Sequence, residues 1–204
     1  MIADGSVQTT VEEAIHHLRQ GEIIAYPTDT LYGLGVDALN PDAIEQLYAL
    51  KNRSKHRPMS VMLPRESWQR WVRGVSPAAT KLAEKYFPGP ITLIMNAGDE
   101  LPKILTRYTN GTIGIRVPNH PICLQLLAEF QNPIITTSAN ISNKPAAEEP
   151  ETIEEYFPEG IGYIIREGPK PKGIASTIID VTDDTPLVLR EGAIPEYAIW
   201  RTIR

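Results

Sequence analysis

An α/β fold built as one domain around a mixed sheet is predicted from three features of the sequence. Short apolar, β-branched runs alternate with helix-like segments through the first two thirds, and strand-like runs crowd together in the last third. Asn40-Pro41 and Ser76-Pro77 each join a capping residue to a proline, a helix start that punctuates the strands. With 204 residues and 42% hydrophobic content, the chain is large enough to bury one substantial core. The polar, proline-containing stretch 142–151 is too short to divide it, so a single domain over 1–204 is expected.

In chain order, Thr10 and Glu13 form a capping box ahead of a helix through HHLRQ that Gly21 closes. EIIAY reads as a buried strand stopped by Pro27, and PTDTLYGLG as a loop rich in hydroxyls and glycine. The helix after Asn40-Pro41 carries apolar residues at 43, 44, 47, 48 and 50 and ends at Lys51. PMSVML is the next strand. A helix then runs from Ser76-Pro77 to before Pro88-Gly89-Pro90, and ITLIMNA is again a strand. TIGIRV, IITTS, GYIIRE, STIIDV and LVLRE complete the strands, with helices near 120–130 and 150–157.

Several classes are disfavoured. No stretch approaches the roughly 18 apolar residues of a membrane span, and MIADGSVQTTVEEA lacks the basic and apolar regions of a secretory signal. Cys123, the one cysteine, lies in the apolar pattern PICLQLLAEF and reads as a small buried hydrophobe. These features suit a cytoplasmic protein. Gly33-Leu34-Gly35-Val36-Asp37-Ala38 formally fits a dinucleotide fingerprint. Its glycines lie far from both the strand ending near Tyr26 and the helix starting near Pro41, so the turn that motif needs is missing. The four histidines show no metal-ligand spacing, and no residue is assigned to a metal.

Charge is more informative. Lys51-Asn52-Arg53-Ser54-Lys55-His56-Arg57 packs four fixed positive charges into a chain of net charge −5. Such an island is either a docking place for a small polyanion or a solvated helix end. In TIGIRV, Thr112, Gly114 and Arg116 share one strand face and the three apolar residues share the other. Arg116 therefore either pairs with a carboxylate or holds an anionic ligand. Arg190 repeats this situation, and Ser138 stands at a strand end without a nucleophile elbow. Together with Thr30 and Ser176, these residues suggest a cleft for an anionic, hydroxyl-bearing ligand.

YPTDTLYGLG, KNRSKHRPMSVML, PGPITLIM, TIGIRVP, TTSANIS and STIIDV, in that order, resemble the YrdC/Sua5/TsaC family of threonylcarbamoyl-AMP synthases over about residues 8–192. The resemblance implies a twisted mixed β-sheet flanked by helices around a positively charged concave cleft, in the short single-domain form. It implies an enzyme that turns L-threonine, bicarbonate or CO₂, and ATP into threonylcarbamoyl-AMP and pyrophosphate, with Mg²⁺ carried on the nucleotide. The product would pass to transferase proteins of tRNA t6A modification, and tRNA or double-stranded RNA contact in the cleft is a further implication.

By motif, Thr30, Arg116, Thr136 and Ser176 correspond to L-threonine positions, and Arg53, Thr112, Ser138 and Arg190 to ATP positions. Lys51 and Asn140 belong to the same motifs, Lys51 with Arg116 as the catalytic pair and Asn140 on the ATP side. Arg57 stands where longer members carry Asn, so it contacts a phosphate or lines the mouth; Ala146 stands where Ser is common. Loop 142–151 is the expected lid. A YciO-like nucleotide-binding ATPase and a non-catalytic RNA-binding module are alternative readings. The acidic net charge argues against the second, because nonspecific RNA affinity grows with the phosphates neutralised.

Overall fold

The computed structural model describes residues 5–204; Met1–Asp4, part of the segment inspected for a signal, lie outside the described residues. Helix α1 (Gly5–Arg19) begins earlier than the capping box predicted. Thr10 is already inside it and buried, because the apolar stripe Val11, Ala14, Ile15 and Leu18 extends back to Val7. Gly21 does follow its end, at φ +80°, the left-handed conformation glycine adopts at no steric cost.

Strands β1 (Ile24–Pro27) and β2 (Tyr32–Gly35) form an antiparallel hairpin, so half of the expected PTDTLYGLG loop is strand. Its two glycines hide the strand signal, and packing requires them. A Cβ on Gly35 would lie 2.6 Å from the Ile135 carbonyl and 2.8 Å from the Tyr26 ring. The turn between them is closed by Thr28, whose Oγ1 accepts from the N–H groups of Thr30 and Leu31.

The helices start as their caps predict. Asn40 accepts from Asp42 and Ala43 at the head of α2 (Pro41–Leu50), and Ser76 accepts from Ala79 at the head of α3 (Pro77–Tyr86). Strands β3 (Ser60–Met62), β5 (Ile91–Ala97), β6 (Thr112–Arg116) and β7 (Ile134–Ser138) fall within predicted runs, as do α4 (Pro121–Phe130) and α5 (Pro150–Tyr156). Of GYIIRE only β8 (Tyr163–Ile164) pairs; Gly168, at φ +102°, turns the chain away soon after. Strands β9 (Thr177–Asp180) and β10 (Leu187–Arg190) close one edge. Besides β2, the strand β4 (Val72–Arg73), a two-residue pairing with β5, and the C-terminal helix α6 (Glu196–Ile203) were not anticipated, nor were the 3-10 turns at Trp68–Trp71 and Lys103–Leu105.

The strands order as β10-β9-β5-β6-β3-β7-β2-β1-β8, with β4 also on β5. Pairings β3–β6, β5–β9 and β1–β8 are parallel and the rest antiparallel, the mixed sheet expected. Alternation along the strands divides the residues between two layers. Ala25, Val61, Ile115 and Ile135 face the larger core with α2 and α3, whereas Ile24, Tyr26, Met62 and Ile134 face a second core under α1 and α4.

On that second face the register sets Gly114, Ser60 and Thr136 side by side across β6, β3 and β7, with Ser138 opposite Gly33 on β2. Small and hydroxylated side chains there leave a hollow over the strands. Gly35→Ala should lower the unfolding free energy by about 1–3 kcal/mol, the range for an overfilled interior position. The measurement is a lower urea midpoint at unchanged m-value; an unchanged midpoint would show that β2 can move aside.

Candidate functional site

The hollow is a cavity of about 490 Å³ over the middle of the sheet. Arg116, at the end of β6, forms its floor: Nη2 donates to Asp29 Oδ1 at 3.0 Å and to Thr30 Oγ1 at 3.1 Å. Both charged side chains are nearly withdrawn from water, at 11% and 6% exposure. Sequence reading had left Arg116 open between a carboxylate partner and a ligand role. It has the carboxylate, and it also lines the cavity.

One wall comes from the last strands. Arg190 Nε and Nη2 donate to the Ser176 carbonyl at 3.1 and 2.7 Å, and Ser176 Oγ meets Thr92 Oγ1 at 2.9 Å. The opposite wall comes from the basic island. Arg53 Nε and Nη2 donate to the carbonyls of Arg57 and Pro58, each at 2.9 Å, which folds the island into a tight loop. Arg57 Nη1 then crosses to Asn143 Oδ1 at 3.0 Å. Of the arginines lining the cavity, only Arg116 has a carboxylate partner among the described residues, and no carboxylate lines it. Burial, and then the charge of Arg116, pull the Arg190 pKa below its ordinary value; burial does the same to Arg53. Guanidinium groups strained in this way are stabilised by any anion that enters between them.

Nine of the expected residues lie on the lining: Thr30, Arg53, Arg57, Arg116, Thr136, Ser138, Asn140, Ser176 and Arg190. Two do not. Thr112 stands at the far end of β6, about 13 Å from Arg116 at the rise of a strand, and its hydroxyl donates to the Thr109 carbonyl. Lys51 is fully buried behind the wall. Asp29, Thr92 and Ser60 were missed. Thr92 carried a legible signal, a lone hydroxyl inside the apolar run ITLIM, while Asp29 becomes notable only once Arg116 is seen against it.

The segment expected as a lid is partly fastened. Ala147 donates to the Ala139 carbonyl at 2.9 Å and is fully buried, so only residues near Asn143–Ala146 border the opening.

A family model described as "Telomere recombination", the Sua5/YciO/YrdC domain, matches residues 16–192. The chain belongs to this family. It is 32% identical to the threonylcarbamoyl-AMP synthase of Pyrococcus abyssi over 97% of this chain and 60% of the relative. Among solved structures it resembles P. abyssi Sua5 complexed with L-threonine, with a TM-score of 0.89 and 32% identity over 95% of this chain and 57% of that one. It also resembles E. coli YciO, with a TM-score of 0.84 and 30% identity over 91% of this chain and 90% of that one. The chain therefore spans about 60% of the length of the synthases it matches first.

Lys51 joins the two sides of the site from behind. Its Nζ donates to the carbonyls of Ser138 and Asn140 and to Asn140 Oδ1, and its own carbonyl accepts from Ser142 N and Oγ. Burial first, and Arg53 second, lower its pKa to about 7. The unfolded chain, with an ordinary lysine value, binds this proton at higher pH than the folded one. The neutral amine's contribution to stability is thus complete above pH ~10.5 and is lost as pH falls toward about 7. Relative to Lys51→Met, wild-type unfolding free energy should rise by about 1.4 kcal/mol per pH unit between roughly pH 7.5 and 9.5, in urea titrations. A difference independent of pH would show an ammonium charged throughout.

Proposed function

We propose that this chain is an L-threonylcarbamoyladenylate synthase, a nucleotidyltransferase acting on L-threonine, bicarbonate or CO₂, and ATP. The observation that carries the reading is the set of arginines around one cavity: Arg116 compensated by Asp29, Arg53 and Arg190 compensated by no carboxylate among the described residues. A polyanion and a second, smaller anion fit such a place. Similarity to a Sua5 structure complexed with L-threonine supports the amino acid as the smaller one.

In this reading Arg53, Ser138, Asn140 and Arg190 take the nucleotide, with Arg57 at the mouth; Arg116, Thr30, Thr136 and Ser176 take threonine and its carbamate. The threonine amine adds to CO₂ and loses a proton, leaving a carbamate. A carbamate oxygen then attacks the α-phosphorus, and the bond to the β-phosphate oxygen breaks with its electron pair leaving on pyrophosphate. No covalent enzyme intermediate is required. The protein's contribution is to hold two anions together and to spread the charge that develops between them. Because no carboxylate lines the cavity among the described residues, Mg²⁺ would be held by phosphate oxygens and water. Lys51 serves here as a support that sets the Ser138–Asn140 wall, and Thr112 stands off the cavity lining at the far end of β6.

The product, a mixed anhydride, would be handed to t6A transferase proteins acting on tRNA, in the cytoplasm. None of the described helices is long and apolar enough to cross a membrane. A second reading, a YciO-like nucleotide-binding ATPase, is supported by the likeness to E. coli YciO at a TM-score of 0.84.

Pyrophosphate release separates the two. It should require ATP, L-threonine and bicarbonate together, and turnover independent of threonine would favour the second reading. Arg116→Lys keeps a charge against Asp29 but loses the planar fork. Its kcat/KM should fall about a hundredfold, on the order of the loss of one charge-stabilising group, with a thermal melting curve close to wild type.

A further inference from the structure

Behind the cavity floor three buried polar atoms lack a protein partner: Asp29 Oδ2, Arg116 Nε and His120 Nδ1. Such atoms are few in folded interiors and each has a cause. Asp29 pairs with Arg116, and its charge acts on His120. His120 is 3% exposed and stands at the head of α4, four residues beyond Arg116. Its Nε2 lies 2.9 Å from the Pro169 carbonyl oxygen. A carbonyl only accepts, so the Nε2 position carries the hydrogen and the neutral ring presents a lone pair at Nδ1.

The donors and acceptors then balance. Asp29 Oδ2 and His120 Nδ1 each need a hydrogen, and Arg116 Nε has one to give. One water within reach of all three, donating twice and accepting once, would satisfy them, the usual coordination of a buried water at about three hydrogen bonds. The surrounding backbone is fastened to the same residues. Pro169 is held by His120, Gly173 N donates to the Thr30 carbonyl at 2.8 Å, and the chain runs on into Ala175 and Ser176 of the cavity wall.

We propose that His120 is a positioning residue for Arg116. Through a shared buried water, its Nδ1 holds Asp29 and Arg116 Nε in one arrangement, so that the guanidinium faces the amino-acid substrate at a fixed angle. The inference rests on the synthase reading above, in which Arg116 meets the anionic end of threonine.

The two ring nitrogens have separable duties, and two substitutions divide them. His120→Gln keeps a donor near Nε2 for the Pro169 carbonyl and leaves nothing at Nδ1. His120→Asn keeps a polar group near Nδ1 and gives up the bond to Pro169. The assay is threonine-dependent pyrophosphate release with L-threonine and ATP varied in turn, alongside thermal melting.

His120→Gln is expected to raise KM for L-threonine about ten- to a hundredfold with KM for ATP within about twofold, and His120→Asn to stay within about threefold for both. The opposite ranking, or equal rises for both substrates, overturns the inference and leaves His120 an anchor for the 168–173 loop. If His120→Gln does not fold, His120→Asn decides: a threonine KM raised about tenfold or more overturns the proposal, and a near wild-type value upholds it. A wild-type chain with no threonine-dependent release overturns the synthase reading itself, and this inference with it.

Discussion

A guanidinium held out of water by one carboxylate organises the site. The Arg116–Asp29 pair joins the end of β6 to the turn between β1 and β2, bridging elements separated by β3 and β7 in the sheet. Burying two charges is costly unless geometry and further hydrogen bonds repay it. Thr30 supplies one such bond. The pair thus places a positive group on a rigid strand end while keeping the floor neutral as a whole, so the charge felt by an incoming anion is set mainly by the uncompensated arginines of the walls.

Lys51 plays the matching part for the wall at Ser138 and Asn140. Its Nζ and its carbonyl clasp the 138–142 turn, so the end of α2 and the end of β7 cannot shift independently. A buried lysine without a carboxylate partner is an expensive way to hold a turn. It has a consequence that an apolar residue would lack. The charge of Arg53, two residues along the chain, adds to burial in lowering the basicity of Lys51.

Much of the frame was legible because it depends on local rules. Asn40 and Ser76 cap the helices they announced, and the apolar runs became strands because alternation with β-branched residues suits a half-buried sheet. The misses have physical reasons. Strand β2 carries two glycines, poor strand formers by propensity, which the close approach of Tyr26 and Ile135 demands. Thr10 reads as a cap until Val7 is seen to continue the buried stripe. Strand β4 is two residues long and owes its pairing entirely to β5.

The sequence by itself determined the α/β class, the capped starts of α2 and α3, most of the strand runs, and which side chains were chemically capable of holding an anion: the island arginines, Arg116, Arg190 and the hydroxyls at strand ends. Those properties reside in single residues and their near neighbours. Only the tertiary structure decided which of them meet. Sheet order and register, long-range quantities, brought Ser60, Gly114 and Thr136 into one row, set Asp29 against Arg116, left Thr112 at the far end of its strand, and turned Lys51 inward. A motif names the residues of a site, but distance and burial assign their work.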